Sequence, residues 1–151
     1  MTTLHVRHAR REDLDALVAL YAQLNPDDVA APREHLAAIL DALVSSAHFA
    51  VIVGTHDGRV VATCYLNVIP NLTRGGAPYA VIENVVVEAA QRGSGLGRQV
   101  MRFALAEAWR RGFYKALLQT GSRDPRVHRF YEACGFSASD KTGYVARAPL
   151  G

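Results

Sequence analysis

From Val85 to Met101 the chain reads VVVEAAQRGSGLGRQVM: three valines, a polar turn, glycines at 93, 95 and 97 separated by Ser94 and Leu96, and then an apolar helical pattern. A strand, a glycine-rich turn and a helix start together make an anion site, because successive backbone N–H groups point outward and the helix dipole adds partial positive charge. Glycine matters there, since a Cβ would keep an anion from approaching the backbone. Arg92 and Arg98 flank the turn and are suited to pairing with phosphate oxygens. A flexible turn followed by a helix cap uses the same residue types, so the loop alone leaves both readings open.

Four further residues stand out. Glu83 interrupts an apolar run, where an isolated carboxylate is costly unless it faces solvent, a partner or a site. Tyr131 shares a helical face with Val127, Phe130 and Cys134. A phenol with a pKa near 10 acts as an acid near neutral pH if it is held beside its acceptor, and the same residue type also serves as an amphipathic core aromatic. His128, one turn before Tyr131, suits proton transfer, a ligand contact or a helix surface equally. Asp124, ahead of Pro125, supplies an N-cap. The other histidines (His5, His8, His35, His48 and His56) have no metal-ligand spacing, so no metal is expected. Ser94 and Ser122 lack the nearby histidine and acid that nucleophilic catalysis needs.

These residues need elements to position them. LHVRHA, from Leu4 to Ala9, reads as a first strand, and Leu14, Leu17, Val18, Tyr21 and Leu24 recur at helical spacing. Pro26 and Pro32 bound a break, and Pro32 suits the first turn of a second helix with Leu36, Ile39, Leu40, Leu43 and Val44 on its apolar face. Two β-branched runs flank Asp57-Gly58, a strong hairpin signal, and YAVIENVVV (Tyr79 to Val87) is a third extended run. After the glycine turn, Leu96, Val100, Phe103, Ala104 and Ala108 make a helical stripe that Gly112 ends. YKALLQT reads as a strand, a short helix runs to Gly135, and TGYVARAPL alternates enough for a last strand. The expected order is β-α-α-β-β-β-α-β-α-β, a mixed sheet with helices on it.

The chain has 151 residues, half of them apolar, and this is one domain's worth of core, expected to span 1–151. A formal charge of +3 is too small to imply nucleic acid, although Arg92, Arg98, Arg102, Arg110, Arg111, Arg123, Arg126 and Arg129 crowd the second half. No apolar run approaches the roughly 18–20 residues of a membrane span. MTTLHVRHARREDL lacks the apolar stretch of a signal peptide. Cys64 and Cys134 lack CxxC spacing and read as buried, reduced thiols, which fits a cytoplasmic protein.

Spacing narrows the anion. A P-loop needs a Gly-Lys-Ser/Thr, which is absent. A Rossmann fingerprint needs GxGxxG after a first strand and an acid roughly 20 residues on; here the glycines run GxGxG, late in the chain, and FYKALLQT brings no acid. The register that fits is Arg92-x-x-Gly95-x-Gly97, which resembles the [Q/R]xxGx[G/A] signature of the GNAT acetyltransferase superfamily. IENVVV before the loop resembles that family's acetyl-binding strand, and RFYEACGF, from Arg129 to Phe136, resembles its late FYxxxGF element. The element order is similar along essentially the whole chain.

The resemblance implies an α/β (α+β) fold with a mixed, mostly antiparallel central sheet, about four flanking helices, and splayed strands 4 and 5. It implies acetyl-CoA as co-substrate, with Arg92, Gly93, Ser94, Gly95, Leu96, Gly97 and Arg98 around the pyrophosphate and the backbone of Val85, Val86 and Val87 along the pantetheine arm. The Val87 N–H would face the thioester carbonyl. Tyr131 matches the tyrosine that protonates the departing thiolate, with His128 beside it. Glu83 resembles the glutamate that some members use as general base. Asp124 departs from the family pattern, in which many relatives carry Asn to contact the cofactor, so only a capping role is assigned to it. The implied reaction is direct acetyl transfer to the primary amine of a small molecule, such as an amino sugar or aminophosphonate, in a ternary complex. Tyr21, Asn25 to Asp28, Pro70 to Gly76 and the C-terminal segment would border the acceptor, and in the glucosamine-phosphate branch Arg74 or Arg123 would meet a substrate phosphate. A protein or peptide acceptor, or a non-catalytic acyl-CoA-binding regulatory module, is the alternative. No nucleic acid or membrane partner is expected, and a homodimer is compatible with the sequence.

Overall fold

A computed structural model describes residues 3–150. The chain divides into two compact units, one running to Leu118 and the other starting at Gln119. The first holds a five-stranded sheet in sequence order: β1 (Leu4–His8), β2 (Phe49–His56), β3 (Arg59–Ile69), β4 (Tyr79–Val87) and β5 (Ala116–Leu118). Every pairing is antiparallel except β4 with β5, which is parallel. Asp57 (φ 50°) and Gly58 (φ 82°) both adopt the left-handed region that a two-residue type I′ hairpin needs between β2 and β3.

Helices α1 (Leu14–Leu24) and α2 (Arg33–Ser45) cover one face. Leu14, Leu17 and Leu20 of α1 and Leu40 of α2 pack with Val51, Val53, Val60 and Val86 of the sheet. Pro32 directly precedes α2, as the sequence predicts. Helix α3 (Leu96–Arg110) covers the other face through Leu96, Val100, Met101, Ala104 and Ala108. Met101 takes the place expected of Phe103, which is half-buried and meets His8 edge-on at 5.6 Å. Helix α3 packs tightly on Gly54: a Cβ on it would lie 2.8 Å from Val100 Cγ2 and 2.9 Å from Leu96 Cδ1. The entry to α1 is fixed by Asp13, 6% exposed, whose carboxylate accepts from both terminal nitrogens of Arg7 at 2.7 and 2.9 Å and from the Arg10 N–H at 2.7 Å. The Arg7 hydrogen bonds hold that carboxyl below the ordinary carboxylate range.

The second unit holds α4 (Pro125–Ala133). Asp124 caps it as expected, accepting from the Arg126 N–H at 2.9 Å. Two expectations change. YKALLQT keeps only Ala116–Leu118 as strand, and TGYVARAPL forms none. A strand exists only with a ladder to join. Residues 141–150 are exposed, Tyr144 at 91% and Val145 at 66%, so the alternation in that segment buries nothing. Cys64 is a buried free thiol, pushed up to about 12 by burial, whereas Cys134 is only half-buried.

Candidate active site

The glycine loop has the geometry of an anion cradle. A 3-10 turn over Ala89–Gln91 leads into Gly93 (φ 83°) and Gly95 (φ 85°), and α3 starts at Leu96. Both glycines hold the left-handed conformation that disfavours any side chain, and a Cβ on either would point into open space. The Ser94 N–H donates to the Gln91 carbonyl at 3.3 Å and the Leu96 N–H to Ser94 Oγ at 3.3 Å. The N–H groups of Gly93, Gly95, Gly97 and Arg98 have no acceptor among the described residues. Four unpaired donors at the positive end of a 15-residue helix fit a phosphate or pyrophosphate group. Arg98 is exposed beside them, and Arg92 Nε donates to the Val87 carbonyl at 3.3 Å.

The turn before the loop is anchored from three directions. Arg59, at the start of β3, donates to both oxygens of Glu88 at 2.7 Å and holds that carboxyl below its ordinary range. His56, at the end of β2, places Nδ1 2.5 Å from Gln91 Oε1. Gln23, in α1, accepts from the Ala89 N–H at 3.2 Å.

Strand β4 carries an irregularity that the sequence reading missed. Tyr65 pairs with Glu83 and Thr63 with Val86, so two steps along β3 match three along β4. The extra residue is accommodated at Asn84, which sits at φ 51°. An asparagine in a β-branched run is the available signal, because Asn tolerates the left-handed region better than most residues. The bulge turns Val86 into the α1–α2 core and leaves Glu83 exposed. Beyond it, the Glu88 N–H donates to the Val61 carbonyl at 2.8 Å. Antiparallel ladders alternate, so Val87, opposite Ala62, directs its N–H and carbonyl away from β3. On that side β5 pairs only with Ala80, Val81 and Ile82, so the two strands part before Val85.

Glu83, Val81 and Tyr79 share one face of β4, and the register with β5 brings Lys115 level with Tyr79 on it. Lys115 Nζ lies 4.7 Å from the Tyr79 ring centre and 5.2 Å from that of Tyr114, and Arg74 Cζ lies 5.6 Å from Tyr114. The tyrosines meet edge-on at 5.9 Å. No carboxylate pairs with Arg74 or Lys115 among the described residues, so two like charges gather on one aromatic pair. Nearer α1, Tyr21 is packed against the core, and burial raises its pKa.

Within the second unit, Tyr131 is half-buried and meets Phe130 and Phe136 edge-on at 5.2 and 6.3 Å. The His128 ring nitrogen Nε2 lies 2.8 Å from the Ser122 carbonyl, the partner of an N–H donor. Gly135, at φ 96°, ends the helix, and Arg126 holds the Asp124 carboxyl down to about 2.

Residues 14–136 match the acetyltransferase (GNAT) family. This chain belongs to that family. It is 39% identical over 80 residues to a probable glucosamine 6-phosphate N-acetyltransferase of Oryza sativa, an alignment covering 53% of this chain and 46% of the rice protein, so the match spans about half of that relative. It is 30% identical over 141 residues to the aminoalkylphosphonate N-acetyltransferase of Salmonella typhimurium, covering 92% and 88% of the two chains. A solved putative acetyltransferase from Agrobacterium tumefaciens superposes with a TM-score of 0.89 at 43% identity, covering 95% of this chain and 99% of that one.

In this GNAT chain the first unit brings together Arg92 to Arg98, Val85 to Val87 and Glu83, all on or beside β4 and the start of α3. Tyr131 and His128 lie on α4 of the second unit. Among the described residues no group of three or more His, Cys, Asp or Glu is placed to hold a metal, and no helix is long and apolar enough to cross a membrane.

Proposed function

We propose that this chain is an acetyl-CoA-dependent N-acetyltransferase acting on the primary amine of a small molecule that also bears a negatively charged group. The observation that carries the donor half is the set of unpaired N–H groups at Gly93, Gly95, Gly97 and Arg98, whose donor chemistry suits the pyrophosphate. When bound, acetyl-CoA supplies an acetyl group activated as a thioester. Arg92 and Arg98 would add charge at the phosphates, with Ser94 and Leu96 completing the loop. The backbone of Val85, Val86 and Val87 would order the pantetheine arm, and the Val87 N–H would polarise the acetyl carbonyl. Glu83 would take a proton from the acceptor ammonium, Tyr131 would return one to the thiolate, and His128 would contact the cofactor or assist that transfer. The acceptor attacks directly, and no residue of the chain becomes acetylated.

Two supports bear on the acceptor. The rice and Salmonella relatives are named for amines that carry a phosphate or a phosphonate. Arg74 and Lys115 stand at the far end of the β4 face that carries Glu83, four residues or about 13 Å of strand away. An amine at one end and an anionic group at the other would span that face. The protein is read as one domain over 1–151, cytoplasmic, and compatible with a homodimer.

The test is an acetyl-CoA turnover screen over matched pairs: glucosamine 6-phosphate against glucosamine, an aminoalkylphosphonate against its alkylamine, and lysine peptides. Preference for the anionic member of each pair, lost in Lys115→Met, is the expected result. Turnover confined to peptides would move the assignment to a protein acetyltransferase. Acetyl-CoA that leaves the melting temperature unchanged would remove the donor assignment.

A further inference from the structure

We propose that His56, Arg59, Glu88 and Gln91 are positioning residues that set the affinity for acetyl-CoA, by fixing the turn that delivers the glycine loop and by neutralising a carboxylate at its mouth. The inference rests on the donor reading above and adds residues that the glycine signature does not contain. All four belong to the first unit, and none is part of the unpaired amide set.

From Gly93 to Gly95 the backbone is held by the Ser94 hydrogen bonds and by the Gln99 N–H on the Gly95 carbonyl at 3.1 Å, and two of the three residues are glycines in open space. Glycine freedom lets the amides turn outward, but it also leaves them free to turn elsewhere. Order must therefore come from the ends. Helix α3 fixes one end through buried Leu96 and Val100. The turn over Ala89–Gln91 fixes the other, and all its residues are at least partly exposed. Apolar packing does not hold that turn, so the polar contacts do: beside Gln23 of α1, which accepts from the Ala89 N–H at 3.2 Å, Arg59 grips both Glu88 oxygens at 2.7 Å and His56 Nδ1 lies 2.5 Å from Gln91 Oε1. Both reach in from the hairpin joining β2 and β3, whose two-residue type I′ turn is conformationally tight. The other ring nitrogen of His56, Nε2, lies 3.6 Å from Asp57 Oδ2.

Charge gives the second half. Glu88 directly follows the strand end Val87 and lies four residues before Arg92, where a polyanion is to bind. An unpaired carboxylate there would repel phosphates, and Arg59 cancels it. The two partners are therefore unequal. Removing Glu88 leaves an extra cation near the anion site, whereas removing Arg59 leaves a bare anion.

The experiment measures the acetyl-CoA dissociation constant by titration calorimetry, with KM and kcat alongside, for wild type, Arg59→Met, Glu88→Gln, Gln91→Ala and the exchanged pair Arg59→Glu with Glu88→Arg. Arg59→Met is expected to weaken acetyl-CoA about fourfold and Gln91→Ala about twofold, with kcat within about twofold of wild type. Glu88→Gln is expected to weaken it less than Arg59→Met, and the Arg59→Met effect should shrink as salt rises. The exchanged pair should recover most of the affinity. Equal losses from Arg59→Met and Glu88→Gln, or a lowered melting temperature with unchanged affinity, would reduce the contacts to a structural role and overturn the proposal alone. A wild type that does not bind acetyl-CoA overturns this proposal and the donor reading together.

Discussion

Gly54→Ala tests whether the sheet positions the anion loop. Gly54 lies in β2, and a Cβ there would meet Val100 Cγ2 at 2.8 Å, Leu96 Cδ1 at 2.9 Å and Leu96 Cγ at 3.1 Å. Carbon atoms rest near 3.5–4.0 Å apart, so the closest contacts are short by about 0.7 Å. Leu96 is 0% and Val100 1% exposed, which leaves neither side chain room to turn away. The first turn of α3 must lift, and it carries the free N–H groups of Gly97 and Arg98. Overpacking of this size costs about 1–3 kcal/mol. At about 2–4 °C per kcal/mol for a chain of this length, the melting temperature should fall by roughly 2–12 °C. Displacing donors that grip an anion should also raise the acetyl-CoA KM, by about three- to tenfold if 1 kcal/mol of hydrogen bonding is lost. The assays are thermal unfolding with and without acetyl-CoA and steady-state turnover. Val100→Ala removes one clashing methyl, so the double variant should recover part of both losses. A melting temperature that falls while KM stays fixed would refute the link from strand to loop, and no change in either would refute the close approach itself.

Four further outcomes follow from the same geometry. Gly95→Ala, at φ 85°, should cost about 1–2 kcal/mol of backbone strain and raise the acetyl-CoA dissociation constant, measured by calorimetry. Asp13→Asn should lower stability at neutral pH by about 2–3 kcal/mol in denaturant unfolding, because it leaves Arg7 without its paired acceptor. The pH sense is fixed: the Asp13 carboxyl is held below its ordinary value in the folded chain, so its contribution is complete above the unfolded value of about 4 and is lost as pH falls through the lower folded one. The wild-type advantage over Asp13→Asn should shrink in that window, and a constant difference down to pH 2 would count against the pairing. Tyr131→Phe should slow single-turnover acetyl transfer about 100-fold with acetyl-CoA affinity unchanged, whereas full turnover would remove the acid role. Glu83→Gln should lose rate chiefly at lower pH, where the acceptor is mostly ammonium, and a flat pH response would argue against a base.

Much of this was legible from residue order alone. Tyr79–Val87 was delimited to the residue, because a β-branched run between a proline and a polar turn has few alternatives. Asp57-Gly58 signals a hairpin, and the chain makes one there with both residues at positive φ. The Asp124 cap follows from local chemistry, a short side chain one position before a proline. What escaped was set by distant partners. TGYVARAPL alternates as a strand should, but alternation describes a side-chain pattern and not a neighbouring ladder. The close packing of α3 on Gly54 is likewise not legible, since nothing near that residue in sequence reveals it.

The sequence by itself determined the family, matched over residues 14–136, and put glycines at 93 and 95, where the chain takes positive φ. These are local properties, fixed by spacing and by allowed φ. The tertiary structure decided the rest. It put the extra residue of β4 at Asn84, turned the Val87 N–H away from β3, brought Arg59 and His56 from the hairpin to Glu88 and Gln91, and gathered Arg74 and Lys115 onto two tyrosines. Each of these depends on register between segments far apart in the chain, and register is set by which faces the helices bury, not by any motif.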